Sequence, residues 1–207
     1  MEQKIIFAGP VGAGKTTAIA SISDIPVVST ERSATDAVAE RKAKTTVAMD
    51  YGLIRLEDGI RVHLYGAPGQ QRFNFMWDIL TEGGIGLIIM LDYKRDTLIE
   101  DLDLFLTAFQ KFIRRVKGAV AIGVTRSDLV AEADIEPLRR HVTERGLNIP
   151  IFEVDARDPE DVRHLLLALL SSLHPAVVRA SCKMGPSCRL TCSVCPLNAW
   201  EMPERNR

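Results

Sequence analysis

The feature that most constrains the fold of this chain is a glycine-rich segment near its start, Gly9-Pro10-Val11-Gly12-Ala13-Gly14-Lys15-Thr16. A short apolar run at residues 4–8 precedes it and predicts a strand, and a helical pattern follows at residues 15–22. Small residues between a strand and a helix let backbone N–H groups converge where the helix dipole favours an anion. In this context the match to G-x-x-x-x-G-K-[ST] predicts a phosphate-binding loop.

The loop also assigns roles to its last residues. In loops of this pattern the lysine bridges the β- and γ-phosphates of a nucleotide, and the hydroxyl contacts Mg²⁺. Lys15 and Thr16 take these two roles here. A glycine-rich turn that binds nothing is the alternative, and the flanking strand and helix argue against it. The predicted nucleotide contacts of the loop are Gly9, Gly12, Ala13, Gly14, Lys15, Thr16 and Thr17.

Alternation of apolar runs with helical patterns predicts a three-layer α/β domain over residues 1–174. Its sheet has six mainly parallel strands, one of them antiparallel, with helices on both faces. The turn signal Asp58-Gly59 makes its two flanking strands antiparallel neighbours. Apolar residues at steps of three and four predict one long helix over residues 98–116 and another over residues 162–173. Residues 23–44 form a long polar connection, and residues 175–207 form a separate tail.

Charge and hydropathy exclude several classes of partner. A formal net charge of −1 gives no basic excess for a nucleic acid. The longest strongly apolar stretch, residues 85–91, is far shorter than the roughly 20 residues of a membrane-spanning helix. A secretory signal pattern is missing from the first residues, so we expect a cytoplasmic protein. Peripheral contact with a membrane stays open.

Base specificity depends on a segment after the fifth strand, Val124-Thr125-Arg126-Ser127-Asp128. It resembles the [NT]-K-x-D element of Ras-like GTPases, with Arg126 in place of the usual lysine. The resemblance implies that the Asp128 carboxylate accepts hydrogen bonds from N1–H and the exocyclic amine of guanine, a donor pair that adenine lacks. It therefore implies GTP and GDP as ligands, with Thr125, Arg126 and Asp128 among the contacts and the Arg126 stem along the base.

Three further stretches resemble the same family in the same order along about 170 residues. Thr46-Val47-Ala48-Met49-Asp50-Tyr51 resembles switch I, which implies that Thr46 closes on Mg²⁺ and the γ-phosphate, with Thr45 as a competitor. Gly66-Ala67-Pro68-Gly69-Gln70 resembles the D-x-x-G-Q of switch II, which implies a Gly69 amide on the γ-phosphate and Gln70 orienting the attacking water. Val154-Asp155-Ala156-Arg157 resembles the S-A-K element, which implies that Ala156 covers the guanine.

Besides Arg126, two residues depart from this family pattern. Gly66 stands where the family has an aspartate that holds a Mg²⁺-bound water, and glycine has no side chain for that task. A Pro-Gly turn would also explain residues 66–69, but neither Gln70 nor its register. Val11 stands where Ras has glycine, so a branched side chain lies near the γ-phosphate and we expect slow intrinsic hydrolysis.

The x-P-G-Q form without aspartate and the T-V-A-M-D-Y-G segment resemble most a bacterial branch. That branch is similar to the gliding-motility polarity GTPases of the Mgl type, with Arf proteins and the signal-recognition-particle receptor β subunit more distant. The resemblance implies a slow GTPase switch with an activating partner, often a Roadblock/LC7-type protein, and an effector that reads the nucleotide state.

The tail holds all four cysteines of the chain, Cys182, Cys188, Cys192 and Cys195. Clustered thiols in a reducing compartment ligate a metal more often than they form disulfides, and thiolates suit Zn²⁺ or an iron–sulfur cluster. A redox-active, acylated or inert tail is the alternative.

Two rival functions remain open at this stage. An ATP-dependent phosphotransferase could use the same loop, although no acceptor site or lid arginines are visible in the sequence. A nucleotide-bound scaffold that never turns over would fit Val11 and Gly66.

Overall fold

The computed structural model describes residues 2–29, 49–56, 59–117 and 119–173. The predictions for Thr45, Thr46 and the four tail cysteines lie outside these residues. The strands of the described part are β1 (Glu2–Ala8), β2 (Val28–Ser29), β3 (Asp50–Arg55), β4 (Arg61–Gly66), β5 (Gly86–Asp92), β6 (Val120–Thr125) and β7 (Ile151–Glu153). Its helices are α1 (Lys15–Ile22), α2 (Asn74–Thr81), α3 (Leu98–Ala108), α4 (Gln110–Arg115), α5 (Glu136–Glu144) and α6 (Pro159–Leu173).

The strands form one sheet in the order β2-β3-β4-β1-β5-β6-β7. Strand β3 is antiparallel to both of its neighbours, and the pairs β1–β4, β1–β5, β5–β6 and β6–β7 are parallel. The predicted α/β class with one antiparallel strand is confirmed. The two-residue strand β2 is an addition to the six predicted strands, and it lies within the segment that we predicted as a polar connection.

Helices cover both faces of the sheet, as predicted. Helices α1 and α6 pack on one face around Ile5, Phe7 and Met90. Helices α2 to α5 pack on the other face, where Trp77 of α2 stacks with Phe109, their ring centroids 5.4 Å apart. The central strand β5 is buried along its whole length because it has helices above and below it.

One predicted helix is divided in two. The pattern over residues 98–116 predicts a single helix, whereas α3 ends at Ala108 and α4 begins at Gln110. Phe109 between them has φ −94° and ψ 10°, outside the α-helical region, and is only 1% exposed. The apolar spacing continues through the break, so periodicity alone does not reveal it.

The hairpin of β3 and β4 is antiparallel, as the turn signal predicted. Asp58 of that signal lies outside the residues that the structure describes. The pairing joins Asp50 to Gly66 at one end of the hairpin and Arg55 to Arg61 at the other. This register matters because directly paired residues point their side chains to the same face of a sheet.

Candidate nucleotide-binding site

The loop between β1 and α1 has a backbone that only glycine allows at several points. Gly9 has φ +140°, and a Cβ there would lie 2.0 Å from the carbonyl oxygen of Met90. Gly12 and Gly14 adopt left-handed conformations, with φ +83° and +89°. Gly14 is also the N-cap of α1. The loop therefore leads directly into the first turn of a helix, where N–H groups lack intrahelical acceptors and attract anions.

Lys15 lies across this loop. Its ammonium group donates to the carbonyl oxygens of Gly9 at 2.9 Å and Pro10 at 2.7 Å, and the residue is only 8% exposed. A positive charge held at this point by backbone oxygens of the loop matches the predicted contact with phosphate oxygens. The loop thus suits a polyphosphate in three ways: its backbone is curved, it leads into a helix N-terminus, and it holds the positive charge of Lys15.

The next residue, Thr16, contacts a carboxylate that the sequence analysis did not assign to the site. The Thr16 hydroxyl donates to Oδ2 of Asp50 at 2.5 Å. Asp50 is the first residue of β3 and is 9% exposed. Because β3 is antiparallel, its first residue lies at the edge where β4 and β1 end. A serine or threonine hydroxyl together with an aspartate is the protein donor set that P-loop proteins use for Mg²⁺.

The segment resembling switch II lies directly against the loop. A Cβ on Gly69 would be 2.5 Å from the backbone nitrogen of Val11 and 3.0 Å from the carbonyl oxygen of Gly9. The segment is anchored by Trp77, whose indole N–H donates to the carbonyl oxygen of Pro68 at 2.9 Å. The backbone of Gly69 therefore lies so close to the phosphate-binding loop that no side chain fits at this position.

Val11 and the residue after Gly69 both face solvent at this point. The Val11 side chain is 57% exposed, and Gln70 is exposed as well. The backbone N–H of Phe73 donates to the carbonyl oxygen of Gln70 at 3.1 Å, at the start of a short 3₁₀ turn before α2. The predicted catalytic glutamine is thus beside the loop, with its side chain available to solvent.

A cavity of about 260 Å³ joins the loop to the ends of β6 and β7. Its lining contains residues of the loop and of the two segments predicted to contact the base, namely Gly12, Gly14, Thr17, Thr125, Arg126, Asp128, Leu129, Val154, Asp155, Ala156 and Arg157. Asp128 is an exposed residue in the 3₁₀ turn directly after β6. Ala156 approaches the loop so closely that its Cβ would be 3.0 Å from a Cβ on Gly14.

Thr125 and Arg126 fix the geometry of the β6 end of the cavity. The Thr125 hydroxyl is within 3.0 Å of the carbonyl oxygen of Leu91 and 3.3 Å of that of Ala13. Arg126 has φ +63°, and its guanidinium forms an ion pair with the buried carboxylate of Asp92. The prediction placed the Arg126 stem along a base. The structure adds that its guanidinium is held by a side chain of β5.

Asp155 and Arg157 form an ion pair on the wall of the cavity that follows β7. The Arg157 guanidinium and backbone N–H both donate to the Asp155 carboxylate, with Nη2 to Oδ2 at 2.7 Å. These hydrogen bonds lower the pKa of Asp155 to about 2. Asp155 and, more weakly, Asp128 raise the pKa of Arg157. The wall thus keeps its charges at neutral pH.

The loop, the cavity and the sheet order together define an α/β protein of the P-loop type, with its predicted contacts at the carboxyl edge of a mainly parallel sheet. Thr46 and the four cysteines lie outside the described residues, so their predicted roles stay predictions. Within the described ranges, no helix has the length and apolar character needed to cross a bilayer.

Known proteins give a second indication of class. No family model matches the chain. An uncharacterized protein of Methanocaldococcus jannaschii is 27% identical over 128 residues, 62% of this chain and 72% of that protein. Human Ras-related protein Rab-12 is 23% identical over 176 residues, 82% of this chain and 66% of Rab-12. Ras-related protein RABA6a of Arabidopsis thaliana is 19% identical, over 66% of this chain and 60% of RABA6a.

This chain therefore spans about two thirds of the length of the Rab proteins that it matches. The identities are low, but the similarity to Human Rab-12 extends over most of the chain. The relationship supports a Ras-like small GTPase.

Proposed function

We propose that this chain is a GTP-binding switch whose slow hydrolysis is regulated by partners. The observation that carries the proposal is the cavity that joins the phosphate-binding loop, at Gly14 and Thr17, to Asp128 and Ala156. A nucleotide needs a phosphate site and a base site at a fixed separation, and this cavity provides a continuous surface between the two. The similarity to Ras-related proteins supports the same function and does not favour a phosphotransferase.

Guanine selection in this proposal rests on Asp128. Its carboxylate is exposed to the cavity and accepts hydrogen bonds only, so it suits the two neighbouring donors of guanine. Adenine would leave the carboxylate without these donors, at a cost of several kcal/mol. Thr125 and Ala156 tie the base side of the cavity to the loop, which keeps the distance between base and phosphate sites constant.

The proposed cofactor at the phosphate end is Mg²⁺, which would be held through the Thr16 hydroxyl and the phosphates, with Thr46 as the predicted switch I contact. When bound, this cation neutralises charge that develops between the β- and γ-phosphates. Lys15 contributes a second positive charge from within the loop. The backbone of Gly69 approaches from the side of switch II.

Calorimetry with GTP, GDP and ATP in the presence of magnesium tests nucleotide binding and base choice directly. We expect both guanine nucleotides to bind more tightly than ATP, and Asp128→Ala to reduce this preference. The matched control is Glu144→Ala, because Glu144 is an exposed carboxylate at the end of α5 outside the cavity. No heat with either guanine nucleotide, or tighter binding of ATP, would contradict the proposal.

Slow hydrolysis is expected because Val11 is exposed beside the backbone of Gly69, where the attacking water and the Gln70 side chain need space. Intrinsic turnover should lie well under the ~10 s⁻¹ of a median enzyme. Replacing Val11→Ala and then Val11→Gly should raise it stepwise, by about tenfold in total, or about 1.4 kcal/mol of activation free energy. Phosphate release in single turnover measures the series.

Gln70→Ala is the companion variant in the same assay. It should abolish the gain from Val11→Gly, because a larger space helps only if the glutamine orients water. Equal rates for wild type and Gln70→Ala would instead favour a nucleotide-bound scaffold without turnover. A rate near that of ordinary enzymes for the unmodified chain would contradict slow hydrolysis.

The proposal also includes two kinds of protein partner. The Mgl-type resemblance implies an activating protein, often of the Roadblock/LC7 type, and an effector that binds one nucleotide state in the cytoplasm. Proteins that co-purify with the GTP-loaded but not the GDP-loaded chain would identify the effector.

The proposed metal site in the tail has its own test. The metal content of the wild-type chain is compared with that of a variant carrying both Cys188→Ser and Cys192→Ser. Equal metal content would eliminate a Zn²⁺ or iron–sulfur site.

A further inference from the structure

The strand pair β3–β4 carries an aspartate and a glycine that are directly opposite each other at the edge of the proposed site. Asp50 and Gly66 are paired in the antiparallel register, so any side chains at the two positions lie on the same face. This face is the one covered by α1, since a Cβ on Gly66 would also be 3.2 Å from Cδ1 of Ile19. Asp50 therefore points toward the helix that begins with Lys15 and Thr16.

The side chain of Asp50 fills the space above Gly66. A Cβ on Gly66 would lie 3.0 Å from Cβ of Asp50 and 3.0 Å from its Oδ2. Contacts of this length are tighter than ordinary van der Waals contact, and both neighbours are held in a sheet. A carboxylate on β3 thus takes the volume that a side chain on β4 would need. The glycine at position 66 and the aspartate at position 50 are two parts of one arrangement.

The hydrogen bond with Thr16 shows what this carboxylate can do. A hydroxyl has one proton and two lone pairs. The Thr16 hydroxyl oxygen is 2.5 Å from Oδ2 of Asp50. When its proton is donated to Asp50, the lone pairs of the hydroxyl oxygen point away from Asp50 and are available to a cation. A carboxylate that orients a metal-ligating group in this way also increases its affinity for a cation. Because Asp50 is 9% exposed, water competes little for its oxygens.

We propose that Asp50 is the metal-positioning carboxylate of this site, and that it replaces from β3 the side chain that Gly66 cannot provide from β4. The inference rests on the proposed binding of a magnesium–nucleotide complex. P-loop proteins hold Mg²⁺ through a loop hydroxyl and an aspartate, and the described residues bring Thr16 and Asp50 together for this purpose. Mg²⁺ retains several waters and uses one or two carboxylates. Accordingly, a cluster of three or more His, Cys, Asp or Glu side chains is not needed, and none occurs among the residues described.

A purely structural role for Asp50 is the competing explanation. The same hydrogen bond would then only tie β3 to α1, and its loss would lower stability without changing the response to magnesium. The two roles differ in one measurable quantity, the concentration of free Mg²⁺ that is needed to retain bound GDP.

The test follows release of fluorescent GDP while free Mg²⁺ is varied with a chelator buffer. For Asp50→Asn we expect the Mg²⁺ concentration at half-maximal retention to rise by roughly 10–100-fold, as for other lost metal-supporting groups. Asp101→Asn is the matched control, because the Asp101 carboxylate also accepts a threonine hydroxyl, from Thr97 at 3.0 Å, but does so on α3. The Mg²⁺ midpoint of this control should stay within about twofold of wild type, because Asp101 lies on α3 and does not contact the phosphate-binding loop.

A carboxylate exchange gives the second arm of the test. Asp50→Gly combined with Gly66→Asp moves the carboxylate to β4 and removes the aspartate that would crowd it, leaving Cδ1 of Ile19 at 3.2 Å, the end of a side chain that can shift. We expect this double variant to recover magnesium dependence that Asp50→Gly alone has lost. Gly66→Asp alone should bind less GDP than wild type at every Mg²⁺ concentration, because two carboxylates then compete for one space.

The outcomes separate this inference from the proposed function. A wild-type chain that binds no guanine nucleotide overturns the function itself. A wild-type chain with magnesium-dependent binding, together with Asp50→Asn that melts at lower temperature but keeps the same Mg²⁺ midpoint, overturns only the role of Asp50. If Asp50→Asn does not fold, the exchange variant decides. Folded exchange protein whose GDP release is independent of Mg²⁺ also overturns the inference.

Discussion

The two ends of the proposed site are built in different ways. The phosphate end depends on close backbone contacts, with Gly9 against the carbonyl of Met90 and Gly69 against the amide of Val11. The base end carries exposed side chains on short turns after β6 and β7, including Asp128 and Arg157. We infer that the phosphate end determines whether the domain folds and binds any nucleotide, while the base end determines only which nucleotide it binds.

The largest effect should come from adding one methyl group at the phosphate end. Gly9→Ala places a Cβ 2.0 Å from the Met90 carbonyl oxygen, so β1 or β5 must move. We expect a loss of about 3 kcal/mol in the free energy of unfolding, measured by chemical denaturation. The control Gly146→Ala has φ +70° and nothing within 4 Å of the new Cβ, so it should lose only about 1 kcal/mol. Equal losses would mean that the close approach to Met90 is not what makes a side chain at position 9 unfavourable.

A change at the base end should alter specificity and leave stability almost unchanged. Asp128→Asn replaces an acceptor with an amide that both accepts and donates, which suits xanthine better than guanine. We expect GTP affinity to fall by roughly 100-fold, or about 2.7 kcal/mol, and xanthosine triphosphate affinity to rise. Calorimetry measures both, with Glu144→Gln as an unchanged control. A large drop in the unfolding free energy of Asp128→Asn would contradict the comparison, because this side chain is exposed.

The smallest effect concerns the pair of Asp155 and Arg157. Hydrogen bonds from Arg157 hold the Asp155 pKa at about 2, below its usual 3.8. Because the pKa is lower in the folded chain, the contribution of the pair to stability is complete above pH 4 and disappears as the pH falls toward 2. NMR titration of the carboxyl group should show its pKa returning toward 3.8 in Arg157→Ala. If the pKa of Asp155 stays near 2 in Arg157→Ala, the hydrogen bonds from Arg157 are not what lowers it.

Much of the architecture was predictable because local signals determine it. The apolar runs before and after the glycine-rich loop identify β1 and α1, and α1 begins and ends where predicted. The division at Phe109 was not predictable, since the buried face continues through it. Strand β2 has only two residues, too few to show a period.

The site was predictable only in part, because local sequence signals identify some of its residues and not others. The loop motif and the segment at residues 124–128 identify positions in the chain, and residues of both segments line one cavity. Asp50 was missed because its position beside Thr16 depends on how β3 pairs with β4 and on how α1 packs against that face of the sheet. No local sequence pattern gives either of these contacts.

The contact between positions 50 and 66 also has an evolutionary consequence. A lineage that transfers this carboxylate from one strand to the other must pass through a protein with two carboxylates or with none. The first intermediate is crowded, since a Cβ on Gly66 would be 3.0 Å from the Asp50 side chain, and the second lacks the group altogether. Either arrangement should therefore persist once acquired, as a case of epistasis between neighbouring strands.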